Sequence, residues 1–119
     1  MLNLDTHIIV YLLSGDLTRN EIKLIEETEL AISDIVLWEL CKLVQLKRLE
    51  FDLHAPHFHS LLMNLTIVPV SLEIAIASTQ LDFRGDPVDE IIAATSIVEN
   101  WPLLTRDRRI RRSKKVPLA

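Results

Sequence analysis

Glycine is scarce in this chain: Gly15 and Gly85 are the only two in 119 residues. Two isolated glycines exclude a dinucleotide-binding turn and a phosphate-cradling loop, and there is no Gly-x-Ser-x-Gly nucleophile turn. With only five prolines as well, the composition argues against a collagen-like, disordered or loop-rich chain. The single cysteine, Cys41, excludes an internal disulfide and any cysteine–histidine zinc spacing, and suits a reducing compartment. It lies within an apolar helical pattern and is expected in the core. The longest early apolar run, Ile8 to Leu13, is too short to span a bilayer. It also lacks the basic flank and cleavage site of a secretory signal. The expectation is a soluble, cytoplasmic protein with no membrane contact.

Apolar residues make up 49% of the chain, enough for one compact core, and the length suits a single domain over residues 1–119. The net charge of −4 is unevenly spread. From Leu104 onward seven basic residues accompany one acid, Asp107, leaving sixteen acids and six bases before it. Such an acidic body with a basic end fits a cation site beside a phosphate-binding strip, and equally a solvated basic terminus.

Short apolar runs alternate with helical patterns. Met1 to Leu4 reads as a strand. Asp5 then caps a helix that Gly15 terminates. Thr18 to Thr28 reads as a second helix with its acids outward. Leu30 to Ile32 reads as a buried strand, and Ser33 or Asp34 caps a long helix to about Leu46. A helix over Phe58 to Asn64 precedes a strand, Thr66 to Val70, with Pro69 at its edge. Ser71 caps a helix through about Leu81, Asp86-Pro87 opens one to Glu99, and Pro102 to Thr105 gives a last strand. This alternation predicts an α/β fold, a three-layer α/β/α sandwich around a central, mainly parallel sheet. Ligands of such sheets gather outside the carboxyl ends of the strands.

Four acidic positions stand out on that basis. Asp5 directly follows the first strand, and Asp107 lies just past the last. Glu39 interrupts the apolar run Ile35 to Cys41 and shares a stripe with Ile35, Leu43 and Leu46. A carboxylate there needs a cation or hydrogen-bond donors, for which Lys42 one turn away is the plainest source. In Asp86-Pro87-Val88-Asp89-Glu90, capping accounts for Asp86 but less well for two further acids. Taken singly, each acid has an ordinary structural explanation.

Taken together they resemble a known family. Asp5-Thr6-His7, Ser33 with Trp38-Glu39, Asp86-Pro87-Val88-Asp89 running into Ile92-Ala93-Ala94-Thr95, and Leu104-Thr105-Arg106-Asp107 follow in the order of the PIN-domain family. The resemblance is greatest to VapC-type toxins of type II toxin–antitoxin systems. It implies a metal-dependent endoribonuclease in which Asp5, Glu39, Asp89 and Asp107 hold Mg²⁺ or Mn²⁺, directly or through water. Thr6, Ser33 and Thr105 match hydroxyl positions beside that cluster, and Asp86 and Asp89 both remain candidates for the metal. Glu90 stands where relatives often carry Arg, and Ser96 where Ala is frequent.

Hard cations prefer carboxylate and water oxygens, and two of them about 3.5–4 Å apart can clamp the attacking and leaving oxygens of a phosphodiester. Arg106, Arg108, Arg109, Arg111 and Arg112 are candidates for gripping the RNA backbone. The resemblance also implies a cognate antitoxin and a homodimer. A catalytically silent PIN-fold interaction module is the alternative, with the acids serving as caps. His54, His57 and His59 read as a polar connection, and Trp38 and Trp101 as packing residues.

Overall fold

The computed structural model describes residues 1–119. Four strands, β1 (Leu2–Leu4), β2 (Leu30–Ser33), β3 (Thr66–Val68) and β4 (Leu103–Leu104), form one sheet in the order β3-β2-β1-β4. All three pairings are parallel. Helices α1 (Thr6–Ser14), α2 (Arg19–Glu27), α3 (Ile35–Gln45), α4 (Pro56–Met63), α5 (Leu72–Ser78), α6 (Pro87–Glu99) and α7 (Arg108–Arg111) supply the crossovers and flank the sheet. The α/β/α arrangement expected from the alternation is present. No helix is long and apolar enough to cross a membrane.

The strands β1, β2 and β4 are short and almost wholly buried, as parallel strands covered on both faces must be, whereas the edge strand β3 exposes Thr66 and Ile67. On β2, Ala31 and Ile32 point to opposite faces and join different apolar clusters. The larger cluster gathers Leu2, Leu4, Ile8, Ile9, Val36, Leu40, Ile92 and Leu103, and the smaller joins Val68, Ile74 and Ala94. Polar side chains sit inside this core as well, Asn3 and Ser96 among them. Asn3 is fully buried, and its Nδ2 donates to the Ile92 carbonyl at 3.2 Å and to Ser96 Oγ at 2.9 Å. Ser96, conspicuous in the sequence against the commoner Ala, therefore has a structural partner on β1.

The helix ends follow local chemistry. Asp5 accepts from the Thr6 N–H, and Gly15 closes α1 at φ 78°, a left-handed conformation that costs a Cβ-free residue nothing. Thr18 and Glu21 form a reciprocal capping box on α2. Asp86 accepts from the Val88 N–H with Pro87 in the first turn of α6. At α3 it is Ser33 whose hydroxyl meets the Ile35 N–H, at 3.3 Å, while the Asp34 side chain makes no capping bond.

Several expectations need correction. Pro69 lies beyond β3, which ends at Val68, and α5 stops at Ser78. Helix α3 buries Val36 and Leu40, one turn apart, so Trp38 is 52% exposed and Cys41 is exposed rather than in the core. Glu39 lies at the margin of that buried stripe. In α2 the acids do not all face outward, because Glu21 is buried. Helix α7 has no counterpart in the apolar pattern; Asp107 starts it by accepting from the Arg109 and Ile110 N–H groups.

Candidate active site

Because the sheet is parallel, the carboxyl ends of all four strands open on one edge. Leu4 pairs with Leu104, so Asp5 and Thr105, each one residue further on, emerge side by side. Asp5 is only 3% exposed. Its Oδ1 accepts from the Thr6 N–H at 2.8 Å and its Oδ2 from the Thr105 hydroxyl at 2.6 Å. That hydroxyl in turn accepts from the Asp107 N–H at 3.0 Å. Three residues of the proposed set are thus joined through one oxygen atom.

Burial raises the Asp5 carboxyl above its ordinary pKa, and Asp107 adds to the rise. Hydrogen bonds from Thr105 and Thr6, together with His7, work against it. Asp89, half-buried in the first turn of α6, is pushed up to about 7. Burial is the main cause, followed by the charges of Asp5, Glu39, Asp107 and Asp86. Asp89 therefore feels every other acid of the constellation.

Glu39 is also raised, first by burial and then by Asp5 and Asp86, with the Thr6 hydroxyl opposing. Its Oε1 and Thr6 Oγ1 are both buried without a well-formed hydrogen bond, although the Thr6 hydroxyl lies near enough to Glu39 to lower its pKa. A buried oxygen left unpaired costs on the order of 1–3 kcal/mol. Lys42 does not relieve it, since the ammonium bonds Gln45 Oε1 at 2.8 Å and lies 5.8 Å from the Trp38 ring centre. The sequence-based expectation of a Glu39–Lys42 pair is not met.

Asp5, Asp89 and Asp107 line a small pocket of about 200 Å³ together with His7, Tyr11 and Arg106. Glu39 and Asp86 border a neighbouring, more apolar cleft of about 560 Å³ with Ile35, Trp38, Leu43 and Val88. No three His, Cys, Asp or Glu side chains stand close enough to grip one ion by themselves. The donor set nevertheless fits a hard cation that keeps much of its water: Mg²⁺ is commonly held by one or two carboxylates plus water. Like charges crowded at a buried edge, and orphaned oxygens beside them, are what such an ion relieves.

The remaining residues of interest divide. Ser33 is fully buried and caps α3, and Asp86 caps α6. Arg106 is engaged within the chain. Its Nε and Nη2 meet Glu21 Oε2 and Oε1 at 2.9 and 2.7 Å, and Nη2 also meets the Asp16 carbonyl at 2.9 Å. The guanidinium lies 3.9 Å from the Tyr11 ring centre. Arg109 donates to the Arg84 carbonyl at 2.8 Å and Arg111 to the Thr105 carbonyl at 3.2 Å. Glu90 accepts from the Gly85 N–H at 3.5 Å, which ties it to the entry of α6. Sequence reasoning missed Glu21 and Tyr11 as walls of this region. Glu21 reads as facing outward with the other acids of α2, and nothing local announces a partner 85 residues away.

Comparison with known proteins follows the same lines. The PIN domain family model matches residues 3–116. Ribonuclease VapC22 of Mycobacterium tuberculosis is 33% identical over 86 residues, which cover 70% of this chain and 66% of that protein, just under two thirds. VapBC2 from Rickettsia felis, solved bound to a DNA fragment from its promoter, contains a chain 25% identical, with a TM-score of 0.73 and coverage of 100% of this chain and 98% of that one. FitAcB from Neisseria gonorrhoeae superimposes with a TM-score of 0.79 at 21% identity, covering 99% and 96% of the two chains, a likeness of fold.

Proposed function

The chain belongs to the PIN-domain family, and on that premise we propose that it is a metal-dependent endoribonuclease acting as the toxin of a toxin–antitoxin pair. Residues 1–119 form one nuclease domain, working in the cytoplasm. Asp5, Glu39, Asp89 and Asp107 hold Mg²⁺ or Mn²⁺, directly or through water, and RNA is the substrate. The observation that carries this reading is the convergence of Asp5, Asp89 and Asp107 on one pocket at the carboxyl edge of the sheet, where burial and the neighbouring carboxylates push Asp89 up to about 7. A chain that gathers so much negative charge at the open edge of a parallel sheet gains most when a cation meets it.

When bound, such an ion supplies a water made nucleophilic at neutral pH and positive charge toward the leaving oxygen. The chain's own residues orient and tune. Thr105 fixes the Asp5 carboxylate by its hydroxyl, and the Thr6 N–H fixes the other oxygen. Asp107 stays in register because its own N–H is held by Thr105 and its Oδ1 caps α7. Asp89, whose carboxyl is pushed up to about 7, would have to give up its proton to hold an ion there. Neither the cysteine nor a serine lines the pocket, and on this reading water is the nucleophile.

VapC22 is named a ribonuclease, and a chain 25% identical to this one, with a TM-score of 0.71, was solved in a toxin–antitoxin complex from Klebsiella pneumoniae. By that likeness a small antitoxin is the partner of this chain, and the family resemblance read in the sequence implies a homodimer. The alternative, a PIN-fold interaction module without activity, draws on the capping roles of Asp5, Asp86 and Asp107. Induced expression in a bacterial host separates the two. The toxin reading expects growth arrest with accumulation of RNA fragments, both abolished by Asp89→Asn. Arrest that persists undiminished in Asp89→Asn would count against the nuclease.

A further inference from the structure

The largest concavity of the molecule is a cleft of about 840 Å³ between α2 and α7, and it shares Arg106 with the acidic pocket. Lys23, Arg108 and Arg111 line it, and Thr105 stands at its junction with the acidic site. Its cations differ in what they already hold. Arg106 is taken by Glu21 and the Asp16 carbonyl, in the one salt bridge of the chain. Arg111 gives a single N–H to the Thr105 carbonyl, while Lys23 and Arg108 are in no ion pair. Glu27 is the only lining acidic side chain besides Glu21. The cleft therefore offers three cations to one unpaired carboxylate, directly beside a pocket of the opposite sign.

We propose that this cleft is the track for a single RNA strand: its backbone runs from the acidic pocket past Arg106 into the cleft, where Lys23, Arg108 and Arg111 neutralise its phosphates. The proposal rests on the nuclease reading and deepens it. An acidic edge repels a polyanion, so a substrate can settle there only if nearby cations hold the flanking phosphates. The cleft volume falls in the range of pockets that enclose small ligands, the size of one or two nucleotides. Its concave form suits a strand threaded through a groove, whereas duplex readers work along about 16 base pairs of surface. The other tail cations are less suited. Arg109 is held by Arg84, and Lys115 Nζ donates to the Gln80 carbonyl at 3.0 Å beside a different cavity. Lys114 and Arg112 do not line the cleft.

Fluorescence anisotropy with a short, unstructured 5′-fluorescein RNA tests this, in the Asp89→Asn background with chelator so that nothing is cut. Lys23→Gln and Arg108→Gln, both at exposed positions, should each weaken binding several-fold. Each should also flatten the dependence of log affinity on log salt by about 0.7. Lys114→Gln, an exposed cation of the same tail outside the cleft, should change binding far less. Equal losses in Arg108→Gln and Lys114→Gln would mean diffuse tail charge and overturn the track. RNA binding that ignores both cleft substitutions, while the parent enzyme still cuts RNA, would overturn the track and leave the nuclease standing. No RNA binding by any variant, together with no cutting by the parent, would remove both.

Discussion

The Thr105 hydroxyl donates to Asp5 Oδ2 at 2.6 Å, across 100 residues of sequence and one strand pairing. The same oxygen accepts from the Asp107 N–H at 3.0 Å. One hydroxyl thus sets the attitude of two carboxylates at the edge of the sheet. Removing it while keeping the shape, as in Thr105→Val, leaves Asp5 and the Asp107 N–H each short of a partner. Losses of outer partners at metal sites are commonly 10–100-fold in affinity or activity, and Thr105→Val should lose Mg²⁺-dependent cleavage by about that much. Thr105→Ser, which retains the donor, should recover most of it. Cleavage rates for the two variants at saturating Mg²⁺ provide the check.

Asp89 should make the metal-free protein less stable as pH rises. Its folded-state pKa is raised from 3.8 to about 7. Between those values the folded chain keeps a proton that the unfolded chain has lost, so stability falls from about pH 4 to about pH 7 and levels off above. Asp89→Asn should lack that slope and be more stable than the parent at pH 8 in chelator. Urea midpoints at pH 5 and pH 8 test it, and identical slopes for the two proteins would contradict the assignment.

Metal binding should follow the same proton in reverse. Mg²⁺ must displace it, so affinity should weaken as pH falls below about 7 and proton release should accompany binding. The Mg²⁺-induced rise in Tm at pH 7.5 should exceed that at pH 5.5. A shift independent of pH would mean that Asp89 is not at the site.

Glu21 has the opposite behaviour. The Arg106 guanidinium holds its carboxyl down at about 2, against an ordinary value of 4.5. Its contribution to stability is therefore present above about pH 4.5 and is lost as pH falls toward 2. Glu21→Gln should lower Tm at pH 7 and show little of that acid-side loss. Thermal melts between pH 2 and 7 measure the difference.

Inside the core, Asn3 and Ser96 depend on one another. Ser96→Ala leaves one N–H of the buried Asn3 amide unpaired, and should cost about 1–3 kcal/mol in urea unfolding. A double-mutant cycle with Asn3→Ala should show clear coupling, because the hydroxyl has nothing to serve once the amide is gone.

The strand ends that carry Asp5 and Asp107 were legible in the sequence because apolar runs stop there and polar residues begin. So were the starts of α1, α2 and α6, whose caps are local and need only three or four residues to recognise. The buried face of α3 was not. Six of the seven positions from Ile35 to Cys41 are apolar and cover almost two turns, and nothing local tells that Val36 and Leu40 turn inward while Trp38 and Cys41 turn out. Helix α7 carries three arginines in four residues, so it offers no apolar period to read. The Glu21–Arg106 pair was hidden for a different reason: Glu21 reads as one more outward-facing acid of α2, and only the folded chain brings it to Arg106.

The most direct test of the account is cleavage of a structured RNA pool by the purified protein with Mg²⁺, with chelator, and with Asp5→Asn. Asparagine removes the charge and keeps one oxygen to accept from the Thr6 N–H, while its amide nitrogen can only donate to the Thr105 hydroxyl oxygen instead of accepting from it. The account predicts cutting that requires Mg²⁺, stops with chelator and is lost in Asp5→Asn. Cutting that survives chelation, or is undiminished in Asp5→Asn, would contradict it.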